Sequence, residues 1–478
     1  MPGNGTMNST MATAVPELSD RLAWSGRAQA LRMGDLRGTP ALLLFGCASS
    51  AWTRQRLDDM NRLLRRHGDA LQAAALLVPR FDAERDPRSL QQLQSEHDLN
   101  FPLALDADWV AWQQFGIESW PTLLVLDADG RERQRIVGAG PSAELADLVQ
   151  TLVAEAPEAP PKAAPALNGG KRSVMPELPL SFPTGIAVGA GKLYLADTGH
   201  HRILECDYDG RILRQFGSGA YDYLDGSASV AAFRRPQGLA LQRETLFVAD
   251  TGNHALRRID LRSGEVSTLC GNGNGASQVG TATIDQPCGL QASASHLYVA
   301  MAGDNRICAY NLSQGVLETI AGSGFFAIND GNGLFAAFAQ PTGLALRQDV
   351  LYVCDAAGSA IRAVYLRDQR VQTLVGQGPY DFGSVDGPRS IARLQWPRAI
   401  ALDPHDPLLW IADAGNDRIC TLRLGGGVVS GFSLPQRLHN PGGIACGEDA
   451  LWIADTGAHA LLRIDGRDGT LRHVPVGE

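Results

Sequence analysis

The phrase LYLADTGHHRI at residues 193–203 is written six times in this chain, and no other feature limits the fold as tightly. It returns as LFVADTGNHAL from Leu246, LYVAMAGDNRI from Leu297, LYVCDAAGSAI from Leu351, LWIADAGNDRI from Leu409 and LWIADTGAHAL from Leu451. A proline followed by a small-residue and aliphatic step stands ahead of each copy. Pro183 to Asp197, Pro236 to Asp250, Pro341 to Asp355 and Pro441 to Asp455 are each 14 residues apart. Pro397 to Asp413 is 16, and Met301 takes the Asp place in the third copy. Self-similarity at a fixed period of this size means a repeat architecture, whatever any single copy suggests.

Each repeat parses into four short strands, for the first at about 184–188, 192–196, 203–208 and 212–216. An Asp209-Gly210 hairpin turn separates the last two. Six four-stranded units with these spacings predict a six-bladed β-propeller over residues 173–478. The glycine of each Pro-x-Gly step is expected where inner strands converge on the axis. Three connections share G-x-G, then Asp-Gly, with Asp225, Asp330 and Asp386 in one place; the second-to-third connection loses the Asp-Gly. The sixth blade owns all four strands, so the ring closes either by packing alone or by a strand from residues 172–178. The repeated motif resembles the NHL repeat.

Residues 18–153 read differently. Strands at 41–45, 73–78 and 101–105 alternate with helices at 51–67, 87–97 and 108–115, and a terminal hairpin and helix follow. That is an α/β sandwich, preceded by a disordered start (1–17) and followed by a Pro/Ala-rich spacer (154–172). The order of elements and the segment FGIESWPTLLVLDADGRE resemble the thioredoxin fold. The resemblance implies a cis peptide before Pro121. It also implies a WCxxC at the start of the helix after the first strand, but the segment here reads FGCASSAW, with Ser49 and Trp52 at the two cysteine positions. Cys47 lies two residues earlier and the next cysteine is Cys206, so no dithiol cycle can run inside this domain. Cys47 remains a weak candidate for a single reactive thiol, with Arg54 and Arg56 near it in sequence, against the plainer reading of a small buried loop residue. Together the two domains, in this order, resemble the thioredoxin-like/NHL-repeat protein family.

Totals remove some classes of function. The formal charge is −9, and from Lys171 onward 26 Lys and Arg face 30 Asp and Glu, so nucleic acid is not an expected partner. Eight scattered Cys without a CxxC pair argue for free thiols rather than a disulfide framework. No apolar run suits a membrane span or a convincing signal peptide, so neither a membrane nor export is expected and the cytoplasm is the expected location.

The recurring aspartates, Asp197, Asp250, Asp355, Asp413 and Asp455, sit where the second strand meets a turn. They are expected to accept from the turn's N–H groups and to hold adjacent blades, because a catalytic site needs one such group and not five. Four places on comes a variable polar position: His201, His254, Asn305, Ser359, Asp417 and His459. His459, His201 and His254 fall on consecutive blades around the ring, which gives zinc a candidate site; the alternative is pairing across blades. The reading that follows is a non-catalytic binding or scaffold protein without a cofactor. It would use a propeller face for a protein or small ligand, beside a thioredoxin-like domain without its dithiol. The alternatives are a Cys47-dependent oxidoreductase or peroxidase, and a metal-dependent lyase or hydrolase in the propeller channel.

Overall fold

The computed structural model describes residues 13–25, 29–140, 142–157, 179–189, 191–466 and 469–477, in two units, Met1–Val174 and Met175–Glu478. The first unit is a seven-stranded sheet flanked by helices: β1 (Thr13–Ala14), β2 (Ala23–Ser25), β3 (Ala41–Gly46), α1 (Ala51–His67), β4 (Gln72–Leu77), α2 (Arg88–Glu96), β5 (Leu103–Leu105), α3 (Val110–Gln114), β6 (Thr122–Leu126), β7 (Arg131–Val137) and α4 (Ser142–Glu155). The strand order is β1-β7-β6-β3-β4-β5-β2. Every residue of β3 and β4 is buried, as expected of strands covered on both faces. Leu42 and Leu44 join Leu57 and Met60 of α1 and Val149 of α4 in one layer; Leu43 and Phe45 join Trp112 of α3 in the other. Ser50 caps α1 by accepting from the Thr53 N–H, and Arg65, Arg66 and His67 sit at its negative C-terminal end. The Trp120–Pro121 peptide is cis.

Two boundaries move. The disordered start expected through residue 17 is corrected at its inner end: Thr13–Ala14 pair with Glu132 and Arg131 of β7, and Leu18 is buried. Residues 1–12 lie outside the described residues. The spacer expected from 154 begins inside α4, which runs to Glu155; its remainder from 158, and the closing strand considered for 172–178, also lie outside the described residues.

The second unit is the expected propeller of six blade sheets, the first made of Pro183–Gly189, Lys192–Asp197, Arg202–Cys206 and Ile212–Phe216, with a separate two-stranded hairpin (Ser277–Val279 and Ala282–Ile284) between blades two and three. The glycines do what the pattern implied. A Cβ added to Gly185, Gly238, Gly289 or Gly443 would stand 1.8–2.0 Å from a carbonyl oxygen of the neighbouring blade, those of Gln237, Cys288, Thr342 and Thr184. No side chain survives there. Blade five is the exception, with Ala399 at the glycine's place.

The ring closes without a borrowed inner strand. The Thr456 hydroxyl of blade six donates to the Pro183 carbonyl of blade one at 2.7 Å, as Thr198 does to Pro236 and Thr251 to Pro287. Past the last outer strand, Gly477 bonds to blade one, accepting from the Ile212 N–H at 2.8 Å and donating to the Gly210 carbonyl at 3.1 Å.

Candidate functional site

All five repeated aspartates are buried. In each, Oδ1 accepts a backbone N–H from the segment that leads into the innermost strand of the same blade. The donors are Ser181, Arg234, Ala339, Gln395 and His439, at 2.6–2.8 Å. The expected donors in the adjoining turn, and the expected role between blades, are therefore corrected. The carboxylate ties the entrance of its own blade, because strand two ends beside the proline that opens strand one (Pro183 faces Asp197). The second oxygen takes a cation or amide from the same blade: His200 and Arg202 on Asp197, Asn253 and Arg257 on Asp250, Arg362 on Asp355, and Asn416 and Arg418 on Asp413. Burial pushes Asp250, Asp413 and Asp455 up to about 6, against the pull of these donors.

The variable polar position does the work between blades. His201 Nδ1 accepts the Arg235 N–H, His254 Nδ1 the Gln286 N–H, and His459 Nδ1 the Phe182 N–H, at 3.1–3.3 Å. Asn305 accepts from Gln340, Ser359 from Trp396 and Asp417 from Asn440. Each donor is the residue before the next blade's proline, so one bond crosses every seam of the ring. Donor and acceptor residues alike hold left-handed backbone, φ between 46° and 56°. Conformations this unfavourable for side-chain-bearing residues persist where surrounding bonds enforce them. The zinc arrangement considered for His201, His254 and His459 is corrected accordingly: each ring faces the next blade's backbone, and Nδ1 is engaged there. His254 Nδ1 also lies 2.8 Å from Asp285. Among the described residues no group of three or more His, Cys, Asp or Glu is placed to hold a metal.

The Asp-Gly connections form a third device, whose partners the sequence reading missed. Each runs along the outside of the following blade; Gly331–Asn332 and Gly387–Pro388 add a fifth strand to blades four and five. The loop aspartate then meets an arginine that also holds the motif aspartate. Arg257 bridges Asp250 and Asp225, both at 2.8 Å, and Arg362 bridges Asp355 and Asp330. In blade five Arg418 joins Asp413 to Asp386. Arg257 and Arg362 are fully buried, over the rings of Phe233 and Phe338. The signal was present as a correlation among repeats. Blade three lacks the loop Asp-Gly and has Met301 for the Asp; Cys308 stands where Arg257 and Arg362 do and joins Met301 in an apolar cluster, while Arg306, at the place of Arg418, pairs with Asp304 instead.

The six inner strands enclose a channel of about 380 Å³. Its lining residues are Gly, Ala and aliphatic ones apart from Thr184, Gln237, Cys288, Gln291, Thr342, Arg398 and Cys446, and most of the surface it exposes is polar. It carries no carboxylate and no histidine, so it offers no acid–base pair for hydrolysis or elimination.

In the first domain the loop before α1 holds Cys47 fully buried. Burial pushes its thiol up to about 12, and the nearby Glu84 carboxylate pushes the same way. Arg54 donates to Glu96 and the Ala48 carbonyl, and Arg56 to Asp59 and the Gly138 carbonyl, so the activation considered from these two arginines is corrected. Glu84 occupies the place of an anion at this loop, accepting from the N–H groups of Ser49 at 2.6 Å, Arg80 at 2.7 Å and Phe81 at 3.0 Å. Donors that stabilise a thiolate in a reactive site are bonded to a carboxylate here. The Ser49 hydroxyl lies 3.9 Å from the Cys47 sulfur, and Trp52 lies in the first turn of α1.

Comparison with known proteins follows the two units. A thioredoxin-like domain family matches residues 28–152 and an NHL repeat family residues 180–206. The chain is 30% identical over 97% of its length to NHL repeat-containing protein 2 of Bos taurus, of which it spans 71%. It is also 30% identical over 96% of its length to the chloroplastic protein SUPPRESSOR OF QUENCHING 1 of Arabidopsis thaliana, and spans about half (47%) of that protein. Its first domain alone is 26% identical over 141 residues to the thiol-disulfide oxidoreductase YkuV of Bacillus subtilis.

Proposed function

The chain belongs to the family that joins a thioredoxin-like domain to an NHL-repeat propeller, and from that premise we propose that it is a binding protein without catalytic turnover. The propeller presents its face and channel mouth to a protein or small ligand. The thioredoxin-like domain serves as a folded module that has given up thiol chemistry. One observation carries this reading: Cys47 is the single thiol of its domain, has no exposure, and is held protonated with a carboxylate filling the donor site beside it. A thiol near 12 is almost wholly un-ionised at neutral pH, and the thiolate is the nucleophile. The recurring Asp and His positions are consumed by blade construction, which removes the other source of catalytic groups.

From Lys171 onward 30 Asp and Glu outnumber 26 Lys and Arg, a balance that favours a protein or small molecule over nucleic acid. No helix among the described residues is long and apolar enough to cross a membrane. The test is activity. Insulin-disulfide and peroxide reduction by the purified chain should not exceed background, and Cys47→Ser should change nothing. Turnover that disappears in Cys47→Ser would overturn the reading in favour of a one-thiol oxidoreductase. Affinity capture with the intact chain, against a chain carrying substitutions at the channel mouth, identifies the partner.

A further inference from the structure

One side chain at the channel mouth is unlike the rest of its ring. The residue after each blade's proline is Thr184, Gln237, Cys288, Thr342, Arg398 and Gly442 in turn, and all six line the channel. Among the described residues that line the channel, Arg398 is the only charged one. Its position is built rather than incidental. The guanidinium carbon lies 5.2 Å over the ring of Trp396, whose backbone is latched to Ser359 of the preceding blade. The guanidinium reaches across to blade six, where the facing residue is Gly442. A Cβ there would first meet the Thr456 hydroxyl at 2.4 Å, and would come within 3.3 Å of the terminal nitrogen and 3.5 Å of the guanidinium carbon. Blade six alone has glycine at this place, and blade five alone has Ala399 where the others have glycine. Both departures from the repeat therefore fall at one seam, around one cation.

A cation at the mouth of a narrow channel whose lining carries no carboxylate leaves its positive potential uncompensated by any lining anion. The planar fork of an arginine matches the two oxygens of a carboxylate or phosphate. Gln237 on the same ring adds a neutral amide, and the channel's volume suits a small metabolite. We infer that this mouth binds a small molecule carrying a carboxylate or phosphate, its anionic group on Arg398 and its body along the channel. This deepens the proposed binding role, on which it rests, by naming the class of ligand.

The test is calorimetric titration of the full chain with inorganic phosphate and, separately, succinate, at constant ionic strength set with chloride. Saturable one-to-one binding of at least one is expected, and the tighter of the two names the anion type. Arg398→Gln should weaken it about tenfold or more, the loss of a charge-assisted bidentate contact, with the thermal midpoint unchanged. Arg398→Lys, which keeps the charge and loses the planar fork, should weaken it severalfold and serves if Arg398→Gln does not fold. Trp396 emission should change saturably with the same midpoint as the heat of binding, because its ring carries the guanidinium. Saturation by neither anion, or wild-type affinity in Arg398→Gln or Arg398→Lys, overturns the inference. Partner capture that persists without anion binding would sink the anion site alone and leave the binding role standing.

Discussion

Asp355→Met isolates what the charged clamp of a blade is worth. Asp355 is fully buried and does two jobs: Oδ1 accepts the Ala339 N–H at 2.6 Å, and Oδ2 holds Arg362 at 3.0 Å. Arg362 is also buried, with its remaining hydrogen bonds on Asp330 and the Ala337 and Asn329 carbonyls. Removing one member of a buried ion pair costs about 3–5 kcal/mol, because the surviving charge stays buried. The orphaned Ala339 N–H alone would cost about 1–3 kcal/mol, and the two overlap. Asp330 keeps part of the guanidinium's charge compensated, so a total near 4 kcal/mol is expected. Blade three suggests the remedy, since Met301 and Cys308 stand where Asp355 and Arg362 do, in an apolar cluster. Asp355→Met with Arg362→Cys should recover about half of the loss, because an apolar pair avoids the desolvation of both charges. Two domains exclude a two-state treatment of the whole chain, so the assay is calorimetry that resolves the propeller's own transition. At about 2 °C per kcal/mol the single variant should melt about 8 °C lower. A loss no larger than that of a surface substitution, about 0.5 kcal/mol, would refute the argument. So would a double variant less stable than the single one.

Three further outcomes are expected. Gly238→Ala places a Cβ 2.0 Å from the Cys288 carbonyl oxygen and should prevent the blade two–three seam from forming, whereas Ala399→Gly should be tolerated; soluble yield and unfolding midpoint separate them. His459→Asn should unfold like wild type, because Asn305 already accepts the equivalent N–H, while His459→Ala should cost about 1–3 kcal/mol by stranding the Phe182 N–H. Burial holds Asp413 protonated up to about 6 in the folded chain, but the unfolded chain releases that proton near 3.8. Its contribution is therefore fully present below about 4 and is lost as pH rises through 6. The difference in unfolding free energy between wild type and Asp413→Asn should change across that window and be flat above it; a difference independent of pH would contradict the raised value.

The order of the main elements and the number of blades were readable from the chain alone because they depend on local spacing; the short added strands β1, β2, Gly331–Asn332 and Gly387–Pro388 were not. The Pro-to-Asp offset fixed six blades, and the helix expected at 51–67 is the helix observed, since its apolar spacing, its Ser50 cap and the Gly68 that ends it are all local. The cysteine count alone removed a dithiol cycle from the first domain. What local spacing does not carry is the partner of a hydrogen-bonding group. Asp197 bonds a backbone N–H 16 residues back, Arg257 a carboxylate 32 residues back, and His459 a backbone N–H 277 residues away across the closing seam. A carboxylate or imidazole in the repeated phrase has the same chemistry whether it is catalytic or structural, and only closure of the ring decides which neighbour takes its lone pairs. Arg398 shows this most plainly: in sequence it is one more residue after a proline, and the closed ring makes it the only charge among the described residues lining the channel, facing Gly442 where a side chain would crowd both the Thr456 hydroxyl and the guanidinium.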